Sequence, residues 1–564
     1  MSDWDLTREI IGIDLGTTNS ALAFTHEGTV QMFAIPQLVN PGEERDEPLL
    51  PSFLFLDDPP IVGVLAQKKG LENAGRLVSS AKSWLCHAGV ERTSAILPTH
   101  APEGVHKISP VEASRSYLAH LRNAWNAKHP GELFDDHQVL ITVPASFDAV
   151  ARDLTMKAAE QAGYKNVVLL EEPQAAFYAW LERHPEWREL VAVGDSILVA
   201  DIGGGTTDFT LIAVRDREGE LALERVAVGD HILLGGDNID MALAHHVASG
   251  ISKKLDAVQF HQLYQQCRNA KENLLAPDST AADHPITILG RGTGLVGGTI
   301  KTKLKRSDIE KILLEGFLPQ VSFDEIPERR RAGLAEIGLP FAADPAITRH
   351  LAHFLHRQGA EPTHVLFNGG VMRAGVIRSR ILDAMNQWFP HPVTPLVGED
   401  LMQAVARGAA YYGLARQGKG VRIRGGVPHS YYIGIETAMP AIPGFAAPLK
   451  ALTVAPFGME EGTGYQFADR TFALTVGEPA QFRFFESASR HQDAPGSLIE
   501  DPGADFKELA PIEVSLPGNA GESVPVTLEV LVTETGVLEL WCAARDGRRW
   551  KLEFNVRPET RRKR

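Results

Sequence analysis

The sequence predicts an α/β region made of two related halves, followed by a module built entirely from strands. Three observations carry that reading. A strand–turn–strand unit near the start, IIGIDLGTTNSALAF from Ile10 to Phe24, returns as SILVADIGGGTTDFTLIAV from Ser196 to Val214, so that Asp201 repeats Asp14 187 positions later. Strand patterns around these units alternate with amphipathic helical ones. From Val427 onward no long helical period survives.

The elements follow in order. Ile10 to Phe24 reads as two apolar strands joined by a Gly-Thr tip, a hairpin. QVLITVPASF, from Gln138 to Phe147, reads as a strand, and Ala149 to Ala162 as a helix closed by Gly163. The second hairpin then repeats strand, Asp, Gly, Thr, strand, which points to a duplicated fold with a cleft between its halves. HVLFNGGVMRAGVIRSRILDAMNQWF, from His364 to Phe389, reads as a strand entering a helix through a Gly-Gly turn, and a further helix is expected over Gln403 to Ala415. A Gly-rich stretch at Gln417-Gly418-Lys419-Gly420 marks a boundary. Beyond it FALTV, FRFF, VTLEVLV, VLELW and WKLEFNV read as short strands separated by turn residues, the pattern of a β-sandwich. The expected division is 1–416, a linker over 417–426, a β module over 427–557 and a basic tail over 558–564.

Composition narrows the function. A chain of 564 residues with 44% hydrophobic and 23% charged residues is an ordinary globular protein of several folding units. A formal net charge of -15 argues against a nucleic-acid partner, since phosphate backbones recruit basic surfaces. No apolar run approaches the ~20 residues of a bilayer-spanning helix, and MSDWDLTREI lacks the plan of a signal peptide. No membrane partner and a cytoplasmic location are therefore expected. Cys86, Cys267 and Cys542 are distant and odd in number, which fits reduced thiols, and the His245-His246 pair has no second ligand cluster.

The chemistry concentrates at the repeated tips. In Asp14-Leu15-Gly16-Thr17-Thr18, Gly16 lets backbone approach a phosphate while hydroxyls and amides donate to it and the carboxylate holds magnesium through water. The same residues also suit an ordinary tight turn. Asp201-Ile202-Gly203-Gly204-Gly205-Thr206-Thr207-Asp208 is more telling, because three consecutive glycines cost folding entropy unless several amides must face phosphates. There Thr206 falls near a transferred group, with Asp201 and Asp208 near metal and water. Gly369-Gly370 with Arg373 would let a flat base pack on bare backbone under a guanidinium.

Taken in order, IGIDLGTTNS, ITVPASF with Arg152, LLEEPQAA, ADIGGGTTDFT, LGGDNID, CRNAKENLL and FNGGVMR resemble the DnaK-type, seventy-kilodalton heat-shock chaperones over nearly all of Ile10 to Arg416. The resemblance implies an actin-like, two-lobed ATPase domain that binds ATP or ADP with magnesium. It implies that Asp14 and Asp201 lie near the metal, that Thr17, Thr18 and Gly203 to Thr206 contact phosphates, and that Glu172 stands beside the attacking water. Pro144 and Arg152 correspond to residues that relay nucleotide state between lobes, and Lys271, Gly369, Gly370 and Arg373 to nucleoside contacts. Outside the resemblance, Pro144 also fits a strand-ending proline and Glu172 a helix-capping carboxylate.

Departures from the family pattern bear on activity. The family's assisting lysine falls on Gln67, in GVLAQKKG, with Lys68 one place later. Arg268, Glu272 and Leu275 stand where the family has a glutamate, an arginine and a serine around base and ribose, and GKGVRIRGG offers only Val421 and Ile423 for the usual apolar linker. The β module resembles the family's peptide-binding sandwich through YYIGIETA, from Tyr431 to Ala438, without a counterpart of the helical lid. A rough alignment sets Ile435, Phe472, Ala480 and Phe482 around a pocket for an extended apolar peptide; the same residues also fit plain sandwich core.

The resulting expectation is a slow ATPase acting as a chaperone on extended client polypeptides, with a J-domain co-chaperone and a nucleotide exchange factor as partners. The competing reading is a nucleotide-binding regulator or co-chaperone with little hydrolysis, favoured by Gln67 and the altered linker. A small-molecule kinase or a filament protein on the same fold fits less well, given the GGGTTD tip and the β module.

Overall fold

The structure is a computed structural model that describes residues 8–555, apart from 88–89, 100, 102, 146, 148, 218–219, 230–231, 289–298, 329–340, 399, 422–426, 428, 438–448, 461, 488–489, 491, 501–502, 504, 510–511 and 534–536. Ile423 and the tail 558–564 thus lie outside the described residues. The chain forms two compact units, Trp4–Arg422 and Ile423–Arg564.

The first unit is mixed α/β and holds two large sheets. The six-stranded one runs Val167–Glu171, Gln138–Val143, Ile10–Leu15, Asn19–His26, Thr29–Met32, with Leu50–Pro51 pairing beside Asn19. The five-stranded one runs Glu220–Val228, Thr207–Arg217, Ser196–Ile202, His364–Asn368, Thr394–Leu396. Both follow one scheme. The strand ending in Asp14 or Asp201 pairs antiparallel with its hairpin partner on one side and parallel with a later strand, Gln138–Val143 or His364–Asn368, on the other. Central strands such as Gln138–Val143 are buried at every position, as parallel strands covered on both faces require.

Two helices bring these elements together. The helix Ala404–Arg416 packs through Ala406, Ala410 and Leu414 on Ala21 and Ala23 of the first hairpin. Its Gly408 meets the helix Glu172–Arg183 so closely that a Cβ there would overlap the Ala175 carbonyl and lie 2.7 Å from the Ala179 nitrogen. Arg407 then clasps Glu182 with two hydrogen bonds of 2.7 and 2.8 Å. The expected helix starts and stops hold to within a residue or so, at Ala149–Gln161 and Ala404–Arg416.

Among the described residues, the second unit contains strands and no helix. One sheet runs Leu498–Ile499, Leu449–Ala455, Ser430–Glu436, Phe484–Ser487, Lys507–Glu508; another runs Thr463–Val476, Glu522–Val532, Val537–Ala544, Arg549–Asn555. Val524, Val526, Leu528, Val530 and Val532 alternate inward along one strand, and they join Tyr431, Ile433, Leu452 and Val454 of the other sheet in one core. FRFF is not one strand. The chain changes sheets at Arg483: Phe482 pairs with Ile512, whereas Phe484 and Phe485 pair with Ile433 and Tyr432.

Candidate functional site

The two sheets present their matching aspartates to one place. Asp14 lies opposite Thr142, whose hydroxyl sits 3.4 Å from its carboxylate, and Asp201 lies opposite Asn368, whose amide donates at 2.8 Å. The glycine tips meet there. A Cβ on Gly204 would run into the Thr18 hydroxyl, and one on Gly205 would lie 2.8 Å from the Ser83 hydroxyl and 3.1 Å from the Thr17 methyl. Gly369, with φ 91°, passes so close that a Cβ would stand 2.7 Å from an Asp201 carboxylate oxygen. The Gly203 and Gly204 carbonyls accept from Gly236 and Asp237 N–H at 3.0 and 2.8 Å, which ties the second tip to the first turn of the helix Gly236–Ser249.

Glu172 enters the site from the first turn of its helix and forms an ion pair with Lys82, from the short helix Ala81–Leu85. Both side chains are largely buried, at 12% and 8% exposure. Burial alone would lower the Lys82 pKa, but Glu172 and Asp14 outweigh it and hold the ammonium above the ordinary lysine value. Burial pushes the Asp14 carboxyl well up; Lys82 draws it back, while Glu172 and Asp201 add to the rise. Asp201 is also pushed up, by burial first and by Glu172 next, with the Asn368 hydrogen bond opposing and Asp208, its partner across the hairpin, adding repulsion. Such a crowd of carboxylates around one ammonium is an environment that favours a further cation.

The position on which the family's assisting lysine falls, Gln67, is uncharged. Gln67 sits half-buried on the helix Val64–Glu72, and neighbouring Lys68 is spent on the Val39 carbonyl and the Asn40 side chain, at 2.8 and 3.0 Å. The ammonium that faces Glu172 and Asp14 belongs to Lys82. The signal for it was present in the sequence: between Arg76 and Glu91 it is the one formally charged residue. A lysine alone in such a segment must be paired when the segment is buried.

Beyond the tips lies a cavity of about 120 Å³ whose lining includes Thr18, Gly204, Lys271, Gly370 and Arg373. It unites predicted phosphate and nucleoside residues from four separate segments. Arg268 lies in its wall but is fully engaged: it is paired with Asp237, donates to Asp240 at 2.9 Å and to the Tyr264 hydroxyl at 2.9 Å, and lies 5% exposed. Lys271 pairs with the other Asp240 oxygen at 2.6 Å. Glu272 and Arg373 both reach the cavity from exposed positions. Asp237, Asp240 and Asn368 were not anticipated as site residues; their roles emerge only where helix and strand ends converge.

Pro144 is buried after its strand, and Arg152 reaches the Ala145 carbonyl at 3.4 Å and the Glu171 carboxylate at 3.7 Å. In the second unit, Ile435, Phe472 and Phe482 are half-buried against the same apolar core, and Ala480 pairs with Val514 on the small sheet shared with Phe482. Cys267 and Cys542 are buried and Cys86 is partly exposed, with its thiol 3.8 Å from the Lys82 carbonyl oxygen. Among the described residues, no group of three or more metal-ligating side chains is gathered, and no helix is long and apolar enough to cross a membrane.

Residues 10–319 match the sequence profile of the Hsp70 protein family. A chaperone protein HscA homolog from Cupriavidus necator is 32% identical over 293 residues, which cover 49% of this chain and 43% of that one. Another HscA homolog, from Colwellia psychrerythraea, is 31% identical over 278 residues, covering 47% and 41%. The matched region thus spans about two-fifths of the length of these curated relatives. The profile covers more than half of the chain and contains both glycine tips and the Lys82–Glu172 pair. This chain belongs to the Hsp70 family, with the actin-like α/β nucleotide-binding fold that membership implies.

Proposed function

We propose that the protein is an ATP-dependent chaperone that binds and slowly hydrolyses ATP in the first unit and holds extended apolar polypeptide on the second. The observation that carries this is the meeting of two glycine tips over Asp14, Asp201, Glu172 and Lys82. In this reading the first unit is two-lobed, with one sheet in each lobe and the nucleotide between them. Residues 1–416 form this domain, 417–426 the linker, 427–557 a peptide-binding β-sandwich and 558–564 the tail, a division that the two compact units support.

The residues suit magnesium and phosphate. Asp14 and Asp201, each raised by burial and by neighbouring carboxylates, would hold a hydrated magnesium ion. When bound, that ion neutralises charge on the β- and γ-phosphates. Gly16, Thr17, Thr18 and Gly203 to Thr206 offer amides and hydroxyls to phosphate oxygens. Lys82 faces the charge that develops on transfer, Glu172 orients the attacking water, and Asp208, across the hairpin from Asp201, adds negative charge near metal and water. Lys271, Gly369, Gly370 and Arg373 frame the nucleoside. In the second unit, Ile435, Phe472, Ala480 and Phe482 border the peptide site. Client polypeptides, a J-domain co-chaperone and an exchange factor are the partners this reading assigns, in the cytoplasm. The competing reading, a weakly hydrolysing regulator, rests on Gln67 and the altered linker, and the ammonium that Lys82 brings to Glu172 speaks for hydrolysis.

Ligand binding stabilises a folded state by mass action, by about 2.7 kcal/mol at a hundred times the dissociation constant. Saturating magnesium-ATP is therefore expected to raise the melting temperature. Asp201→Asn should lose the magnesium-dependent part of that rise and the hydrolysis. An unchanged melting temperature in the folded wild type would refute the nucleotide site, and full activity in the variant would refute the role of Asp201.

A further inference from the structure

Glu171 and Glu172 are adjacent carboxylates that serve two different places. Glu172 faces Lys82, whereas Glu171, 1% exposed, accepts from the Arg225 guanidinium at 2.8 Å and lies 3.7 Å from that of Arg152. Both arginine side chains are themselves only 9% exposed. Arg225 belongs to the edge strand Glu220–Val228 of the five-stranded sheet, and Arg152 to the helix Ala149–Gln161 beside the six-stranded sheet. Glu171 ends the outer strand of the six-stranded sheet and is the residue immediately before the helix that carries Glu172. Its side chain makes no capping hydrogen bond to that helix.

A buried ion pair of this kind is a poor source of stability, because desolvation of the charges roughly cancels their attraction. What it does supply is geometry: the 2.8 Å contact between Arg225 and Glu171 joins the two sheets in one register. The next peptide bond leads into the first turn of a helix with Pro173 at its second position, and Gly408 leaves that helix no slack against its neighbour. A shift of Glu220–Val228 relative to Val167–Glu171 would therefore pull on the residue that places Glu172.

We propose that Glu171 is a positioning residue for hydrolysis, tied by Arg225 to the sheet that carries Asp201, so that the Glu172–Lys82 pair meets Asp201 only in the register that Arg225 fixes. This rests on the nucleotide reading given above and deepens it. Displacements of about an ångström in a reacting constellation can cost up to a hundredfold in rate, and loss of such alignment appears in kcat while ground-state binding is spared.

The test is steady-state magnesium-ATP hydrolysis by the full chain carrying Glu171→Gln together with Arg225→Met, which removes one buried charge of each sign and leaves Arg152. The expected result is a fall in kcat of about tenfold, with KM within about twofold of wild type and the melting temperature still raised by magnesium-ATP. If the double variant does not fold, Glu171→Asp decides: it keeps the charge but is too short to serve both guanidiniums, and kcat should drop about threefold at constant KM. Unchanged kcat in either folded variant overturns the proposal, as does a loss in which kcat, KM and melting temperature move together. A folded wild type that is neither stabilised by magnesium-ATP nor hydrolyses it overturns the nucleotide reading itself, and the positioning role with it.

Discussion

Replacing Lys82 by methionine separates the charge found in the structure from the position that the sequence suggested. The Lys82 side chain is 8% exposed and is paired with Glu172, with Asp14 also drawing on its charge. Methionine keeps most of the volume and removes the ammonium. A preorganised donor at developing transition-state charge is worth about 10²–10³ in rate, or about 2.7–4 kcal/mol. Hydrolysis by Lys82→Met should therefore fall by about that factor. The fold should also lose stability, since breaking a buried pair costs about 3–5 kcal/mol; proton uptake by Asp14 or Asp201, whose carboxyls already sit high, offsets part of this. Single-turnover hydrolysis, normalised to the folded fraction from a melting curve, measures the rate effect. The paired control is Gln67→Lys, which adds a charge on the Val64–Glu72 helix and should change the rate by less than about twofold. A Lys82→Met protein that keeps more than about a third of the wild-type rate would refute the argument, as would a large gain from Gln67→Lys.

Three further outcomes follow from packing, titration and the linker. Gly408→Ala has no room between the two helices and should cost about 1–3 kcal/mol or more; melting within about 1 °C of wild type would show that the helices can part freely. His120 is held by burial below the ordinary histidine pKa, with its Nε2 2.9 Å from the Pro36 carbonyl oxygen. Because its folded pKa is the depressed one, the stability it contributes is present above about pH 6.5 and is lost as the pH falls below that. Wild type should therefore lose more stability than His120→Gln between neutral pH and pH 5, and a pH-independent difference between them would exclude this assignment. Finally, the linker sequence offers only Val421 and Ile423 as apolar residues, and each fully buried apolar side chain is worth about 1.5–3 kcal/mol. ATP should accordingly change the affinity for a fluorescent apolar peptide by less than about tenfold, and a hundredfold shift would show that another surface transmits the nucleotide state.

The order of residues determined the local chemistry of this protein. Asp14 and Asp201 with their glycine tips were legible because hairpins are local, and because a run such as Gly203 to Gly205 has few uses besides close approach of backbone. VTLEVLV likewise read as a strand, which the structure extends back to Glu522. Tertiary structure decided what depends on distant segments meeting. Lys82 pairs with a residue 90 positions away, Arg225 with one 54 positions away, and Arg268 is neutralised by two aspartates of another helix. The break of FRFF at Arg483 depends on which strands lie beside Phe482 and Phe484, not on those four residues. Apolar periodicity marks which side of an element is buried, but it carries no record of which buried charge will face which, since that pairing is fixed only when separate elements pack and each charge must find its counterion out of water.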